Sequence, residues 1–263
     1  MSNLSHAIRR FNRFELKYLL SLQQAELFKN ALRAYLVADE HGNGDGRYPL
    51  TSLYYDSPDY RCYWEKVDGV KFRRKLRIRA YGDDQALTQD TPVFVEIKQR
   101  VNRVTQKRRA VLPYAAALQL CNERQLPEHD PDDKAVVDEI YAFLWQYNLR
   151  PASIVRYERA ALIGTDFDLG LRVTFDIQLS CQFNPLRLHE PPAGMAMLPP
   201  DQVVMEIKAN ERVPYWLTEL VAAHNLKMVR MSKYCCSIEM AKPFLSTNVH
   251  TLSSAQFEMI SYT

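Results

Sequence analysis

The sequence predicts an α+β fold: an eight-stranded antiparallel β-barrel with amphipathic helices packed on its outside. Three observations predict it. Strand-like segments recur with charged residues at i, i+2 on one face and apolar residues on the other, the period of a pleated strand with two unlike faces. Strand-like segments number eight in all, about the number a closed barrel needs to keep a usable interior. Helical stretches with one apolar stripe stand between them, enough to cover the sheet's apolar face and leave the charged face pointing inward. The outcome is a polar tunnel with an apolar, helix-clad exterior.

The first strand covers 11–20 (FNRFELKYLL), with Arg13, Glu15 and Lys17 opposite Phe14, Leu16 and Tyr18. Ser21 starts a helix over 21–36, with Gln24 at capping-box distance and Ala25, Phe28, Ala31, Leu32 and Tyr35 as its stripe. HGNGDG at 41–46 is a turn-rich loop, and it lacks the later glutamate that a calcium loop requires. YPLTSLYYD (48–56) is the second strand, and SPDYRCYWEKVDG makes a short helix and turn. The strands at 71–82 and 92–100 hold the densest charge: Arg73, Lys75, Arg77 and Arg79 share one face, and Glu96 and Lys98 another. Val101-Asn102 turns the chain into a fifth strand at 103–112. Helices follow at 113–121 and 132–148, the second with Asp132 or Asp133 near its start and Val136, Val137, Ile140, Phe143, Leu144 and Tyr147 as its packing face. PASIVRYERAALIG and LGLRVTFDIQLSC are strands carrying Tyr157 with Arg159, and Arg172 with Thr174 and Asp176. Residues 184–200 are proline-rich and irregular. VVMEIKAN (203–210) is the eighth strand and nearly repeats VFVEIKQR, with Glu206 and Lys208 at i, i+2. Pro214 opens a helix to about Asn225, and a last helix runs from about 233 to 241.

One domain is expected over 1–263, with a core at about 11–242 and a polar C-terminal tail at 243–263. A net charge of +3 is too small to mark a nucleic-acid binder. The basic runs at 73–79 and 107–109 alternate within apolar strands instead of clustering beside exposed aromatics, so no nucleic-acid partner is expected. Five cysteines show no CxxC or Cys/His spacing and read as reduced thiols. No signal core and no run of about 18 apolar residues is present, which points to a cytoplasmic protein without a membrane span. Walker A, GxGxxG, GxSxG and HExxH signatures are all missing, against P-loop enzymes, serine hydrolases and zinc proteases. Oligomeric state is not legible.

The candidate tunnel lining is Glu15, Lys17, Arg77, Arg79, Glu96, Lys98, Lys107, Arg109, Arg159, Arg172, Asp176, Glu206, Lys208 and Lys233. Cations outnumber carboxylates, and crowded like charges are destabilising unless a counter-ion joins them. A tri- or polyphosphate held by Arg and Lys is the economical counter-ion. The carboxylates would hold Mg²⁺ or Mn²⁺, which bind through oxygen and bridge phosphate oxygens. Mutual internal salt bridges are the alternative.

FELKY (14–18), SLYYD (52–56), RIRAYG (77–82), VFVEIK (93–98), RYERAAL (156–162), LRVTFD (171–176), MEIK (205–208) and SKY (232–234) stand in one order along the chain. In these pieces the sequence resembles the catalytic domain of the vacuolar transporter chaperone (VTC) family, a polyphosphate polymerase of the CYTH-like triphosphate tunnel metalloenzyme superfamily. The resemblance implies that Lys17, Arg77, Arg79, Lys98, Arg159 and Lys233 hold phosphates, with Tyr157 and Ser232 hydrogen-bonding nearby. Arg77, Arg79, Lys98, Arg159 and Lys233 are the expected catalytic set, and Arg172 and Lys208 extend the phosphate-binding set. Arg73 and Lys75 would line the mouth. Glu206 is the implied main metal ligand; Glu15 and Glu96 either serve the metal or orient a neighbouring lysine. Arg172 and Asp176 are expected to form a paired wall. The implied reaction moves the γ-phosphoryl of ATP onto a polyphosphate chain, with Mn²⁺ or Mg²⁺ as cofactor. A triphosphatase of the same fold, or a non-catalytic polyphosphate or nucleotide binder, is the alternative. Arg77→Ala or Glu206→Ala is expected to abolish turnover and leave the fold intact.

Overall fold

Ten strands form among the residues that the computed structural model describes, which are 13–39, 47–82, 87–102, 104–165, 168–190, 194–210 and 212–249. They are β1 (Arg13–Ser21), β2 (Leu36–Ala38), β3 (Arg47–Asp56), β4 (Phe72–Tyr81), β5 (Pro92–Val101), β6 (Val104–Pro113), β7 (Arg150–Gly164), β8 (Arg172–Gln182), β9 (Met195–Ala196) and β10 (Gln202–Asn210). Six α-helices accompany them: α1 (Leu22–Leu32), α2 (Arg61–Val67), α3 (Tyr114–Leu118), α4 (Lys134–Gln146), α5 (Tyr215–Ala223) and α6 (Lys233–Val249). The expected HGNGDG loop at 41–46 lies outside the described residues.

All strands join one antiparallel sheet in the order β1-β10-β8-β7-β3-β4-β5-β6, with β2 added to β7 and β9 to β8. The eight expected strands are the eight on this path. The expected ring is not closed by backbone pairing, since β1 and β6 end the path and share no ladder among the described residues. The sheet nevertheless rolls up. Six steps separate β1 from β5, or about 29 Å in a flat sheet at about 4.8 Å per strand. Yet Lys98 Nζ of β5 lies 2.7 Å from Glu15 Oε2 of β1. The free edge of β1 is taken by the segment before α6: the Val229 amide donates to the Lys17 carbonyl at 2.7 Å, and Met228 bridges Tyr18. A sheet edge must be covered or paired, and here a connecting segment does it.

The outer face is apolar and clad by helices. One cluster joins Phe28 and Leu32 of α1 and Leu217 of α5 to Leu20, Val173, Phe175 and Met205. The other joins Val137, Ile140, Phe143 and Leu144 of α4 to Leu53, Leu76, Ile78, Val95 and Ile97. The charged residues therefore face inward.

Several boundaries differ from expectation. The first helix stops at Leu32 instead of 36 because β7 overshoots β3. Arg47 is the last β3 residue on β7, opposite Ala160, and Leu36–Ala38 pairs with Leu162–Gly164 beyond it. Tyr35, expected in the apolar stripe, instead stacks on Trp216 at the surface, 4.1 Å between ring centroids. α3 passes at Gln119 into a π-helical turn. The region expected to be irregular at 184–200 contributes β9. α6 runs to Val249, so the expected tail at 243–263 begins as helix.

The capping box is formed as the sequence indicates: Ser21 Oγ accepts from the Gln24 amide at 3.1 Å, and Gln24 Oε1 accepts from the Ser21 amide at 3.0 Å. Ser21→Ala is expected to cost about 1 kcal/mol, read as a midpoint lowered by roughly 2–4 °C in thermal denaturation.

Candidate active site in the tunnel

Strand alternation carries the inward side chains of β1, β10 and β8 to one centre, the Glu206 carboxylate. Lys17, Lys208 and Lys233 place their ammonium nitrogens 3.1, 3.0 and 2.9 Å from it, and Arg159 follows at 3.6 Å. Lys17 also reaches Glu15 at 3.2 Å, and Lys98 reaches Glu15 from β5, six strands away along the sheet. Lys233 is shared with Asp176 at 2.5 Å, and Asp176 takes both Arg159 nitrogens at 2.6 and 2.8 Å. Burial works against ionisation of Glu206, but Lys17, Lys208, Lys233 and Arg159 outweigh it and hold its carboxyl well below the usual range. Burial pulls the Lys208 ammonium down to about 7 although Glu206 favours its charge.

A second centre lies on β3, β4 and β5. Glu96, fully buried, accepts from Arg77 Nε at 2.8 Å and from Lys107 at 3.0 Å. Arg77 also donates to the Tyr54 hydroxyl at 3.0 Å. Arg79, only 5% exposed, donates to the Ser52 and Tyr157 hydroxyls at 3.1 and 3.0 Å and has no carboxylate partner among the described residues. A β-bulge between Arg156 and Glu158 re-aims the strand beside these contacts.

Seven cations (Lys17, Arg77, Lys98, Lys107, Arg159, Lys208 and Lys233) thus share four carboxylates (Glu15, Glu96, Asp176 and Glu206). Arg79 adds a cation whose hydrogen bonds go to hydroxyl oxygens, with Glu96 acting on it without a direct ion pair. Internal salt bridges do form, and they leave positive charge over. Thr174, fully buried on the inner face of β8 and paired across the ladder with Glu206, has a hydroxyl with no hydrogen-bond partner among the described residues. Such a lining can hold a polyanion by charge-assisted hydrogen bonds without any nucleophilic side chain.

The VTC domain family matches residues 12–242. The chain belongs to the VTC domain family. A Trypanosoma brucei brucei protein, vacuolar transporter chaperone complex subunit 4, is 23% identical over 221 residues, covering 72% of this chain and 28% of that protein. This VTC domain therefore spans under a third of that relative's length. Among solved structures, a candidate adenylyl cyclase from Hippeastrum, described as having a dominant triphosphatase activity, aligns with a TM-score of 0.52 at 15% identity. The alignment covers 88% of this chain and 96% of that one. A candidate adenylate cyclase from Bacillus halodurans aligns at 14% identity with a TM-score of 0.49, over 84% and 94% of the two chains. The fold is shared with the Hippeastrum protein. No helix of the VTC domain's described residues is long and apolar enough to cross a membrane.

The VTC domain brings Glu15, Lys17, Lys98, Arg159, Lys208 and Lys233 together with Glu206, and Arg77 and Arg79 with Tyr157 and Glu96, as contacts already given. Arg109 lies exposed over the Phe94 ring, 4.5 Å from its centroid. Arg73 donates to the Val70 carbonyl at 2.7 Å, and Lys75 to Ser232 Oγ at 2.8 Å, which engages the hydroxyl expected for phosphate. The expected Arg172–Asp176 wall does not form: Asp176 is held by Arg159 and Lys233, while Arg172 binds Asp39 and the Tyr48 hydroxyl. Residues i and i+4 of a strand share a face but lie about 13 Å apart, so their side chains serve different layers of the rolled sheet's inner face. Ser52 and Tyr54 were missed as site residues. Their signal was present, because period 2 in SLYYD puts Ser52, Tyr54 and Asp56 on one face.

Tyr54 supplies a spectroscopic test of the second centre. Burial disfavours its phenolate, but Arg77 and Arg79 outweigh burial and bring its pKa from the ordinary 10 to about 8. The folded state then loses this proton before the unfolded state does. Its stabilising contribution is complete above about 10 and is lost as pH falls through about 8. One tyrosine is expected to ionise near pH 8 in near-ultraviolet absorbance, and Tyr54→Phe to remove that step.

Proposed function

We propose that this domain is a polyphosphate polymerase-like phosphotransferase that moves the γ-phosphoryl of ATP onto a polyphosphate chain inside the cationic tunnel. The observation that carries it is the excess of basic side chains: seven on four carboxylates, plus the buried Arg79, whose hydrogen bonds go to hydroxyls. Membership of the VTC domain family supports the same substrate class. Phosphoryl transfer needs positioning and neutralisation of charge more than covalent help, and the lining has the residues for that. Lys17, Arg77, Arg79, Lys98, Arg159, Lys208 and Lys233 would bind and orient the phosphates, with Tyr157 and the Thr174 hydroxyl as neutral donors.

A divalent cation, Mn²⁺ or Mg²⁺, fits the oxygen-only donor set at one place. Glu15 and Glu206 both reach the Lys17 ammonium, at 3.2 and 3.1 Å, so two carboxylates already converge on one positive charge. Among the described residues no three Asp, Glu, His or Cys side chains gather, and further ligands would be phosphate and water, as is usual for Mg²⁺. When bound, the ion would supply neutralisation of phosphate charge. Glu96, occupied by Arg77 and Lys107, suits the orienting role.

Hydrolysis of a triphosphate is the second possibility, favoured by the activity described for the Hippeastrum protein. Purified protein with ATP and Mn²⁺ separates them. Long phosphate chains with ADP support transfer, free phosphate or pyrophosphate supports hydrolysis, and tight binding without turnover removes both.

A further inference from the structure

We infer that Asp56 and Tyr234 are positioning residues that set Lys233 in the tunnel; the inference rests on the tunnel being a phosphate site. Asp56 ends β3 and is 1% exposed. It takes part in none of the ion pairs described above, and its oxygens collect neutral donors instead. Oδ1 accepts from the Ser57 and Cys62 amides at 2.8 Å each, and Oδ2 from the Tyr63 amide at 3.0 Å and from the Tyr234 hydroxyl. One buried carboxylate thereby joins β3, the first turn of α2 and the first turn of α6.

The start of α6 is held from other sides as well. Lys75 donates to Ser232, the Tyr234 ring packs 5.2 Å from that of Tyr54, and the Ser153 and Ser237 hydroxyls pair at 2.8 Å. Lys233 sits in the middle of this clamp, with its ammonium 2.5 Å from Asp176 and 2.9 Å from Glu206. Successive helical residues are about 100° apart around the axis. A rotation of α6 that takes Tyr234 off Asp56 therefore swings Lys233 out of the gap between the two carboxylates. Ser237 lies one turn on and cannot substitute, because it fixes the helix to β7 without setting the direction of its first residue. A hydroxyl more than 150 positions along the chain from Asp56 thus decides where a tunnel ammonium points.

Tyr234→Phe keeps the ring and removes only the hydroxyl. The first measurement is acetylation of each lysine by acetic anhydride, quantified by mass spectrometry without any phosphate ligand. Lys233, 7% exposed, is expected to be protected in the native protein. In Tyr234→Phe, and in Asp56→Asn, it should be labelled roughly ten times faster, with Lys17 unchanged. Unchanged labelling of Lys233 in both variants overturns the inference. The second measurement is inorganic tripolyphosphate affinity by calorimetry. Tyr234→Phe should weaken binding about ten-fold in the native background and by less than about two-fold beside Lys233→Met. Equal losses in both backgrounds show that Tyr234 does not act through Lys233 and overturn the inference. Absence of tripolyphosphate binding by the native protein would sink the proposed function, while the labelling result would still decide the clamp.

Discussion

Arg79→Met is expected to lower turnover of ATP by a factor on the order of 10²–10³ while leaving stability unchanged or raised. Arg79 is 5% exposed, and its side-chain hydrogen bonds among the described residues go to the hydroxyls of Ser52 and Tyr157. A buried cation whose hydrogen bonds go to hydroxyls recovers less of its lost hydration than one paired directly with a carboxylate. Methionine fills a similar volume, gives up the charge and relieves that cost. The same charge is the one a bound phosphate would meet with the least competition, since no carboxylate has to be displaced. Steady-state turnover and thermal denaturation on one preparation check both halves. A variant that keeps its activity would remove Arg79 from the phosphate contacts, and one that unfolds would show that its charge is compensated in the native tunnel.

Glu206→Ala has the opposite sign for stability. Lys17, Lys208, Lys233 and Arg159 all lean on this carboxylate, and its removal leaves them crowded without their shared counter-charge. Breaking a buried ion pair from one side costs about 3–5 kcal/mol, so a fold left intact, as expected from sequence, is revised to a destabilised one. Turnover is expected to vanish as well. The distinguishing observation is recovery: inorganic tripolyphosphate added to the variant supplies negative charge and should restore part of the lost stability. Urea denaturation with and without tripolyphosphate measures it. Equal destabilisation in Arg79→Met and Glu206→Ala would refute the charge excess itself, because in a surplus of cations losing a carboxylate costs more than losing a cation.

Much of the tunnel was legible because a strand has only two faces. Once Glu15 and Lys17, Arg77 and Arg79, Glu96 and Lys98, and Glu206 and Lys208 were seen at i, i+2, each pair had to share a side. The apolar alternates, such as Leu76, Ile78, Val95 and Ile97, had to occupy the other side under helices. The inward direction of the charges followed from that division. Less legible was anything set by pairing between distant strands. Arg172 and Asp176 share a face, and their separation along β8 sends them to Asp39 and Lys233 respectively. β2 exists because β7 outruns β3, which depends on the lengths of two strands about a hundred residues apart.

The sequence by itself determined which charges of a strand share a face, since alternation is a local property of the backbone. Only the tertiary structure decided which cations find a carboxylate and which, like Arg79, do not. It also showed that the segment before α6 takes the free edge of β1 where a ring had been expected. Ion pairing and edge closure depend on strand order and register, and period 2 carries no information about either.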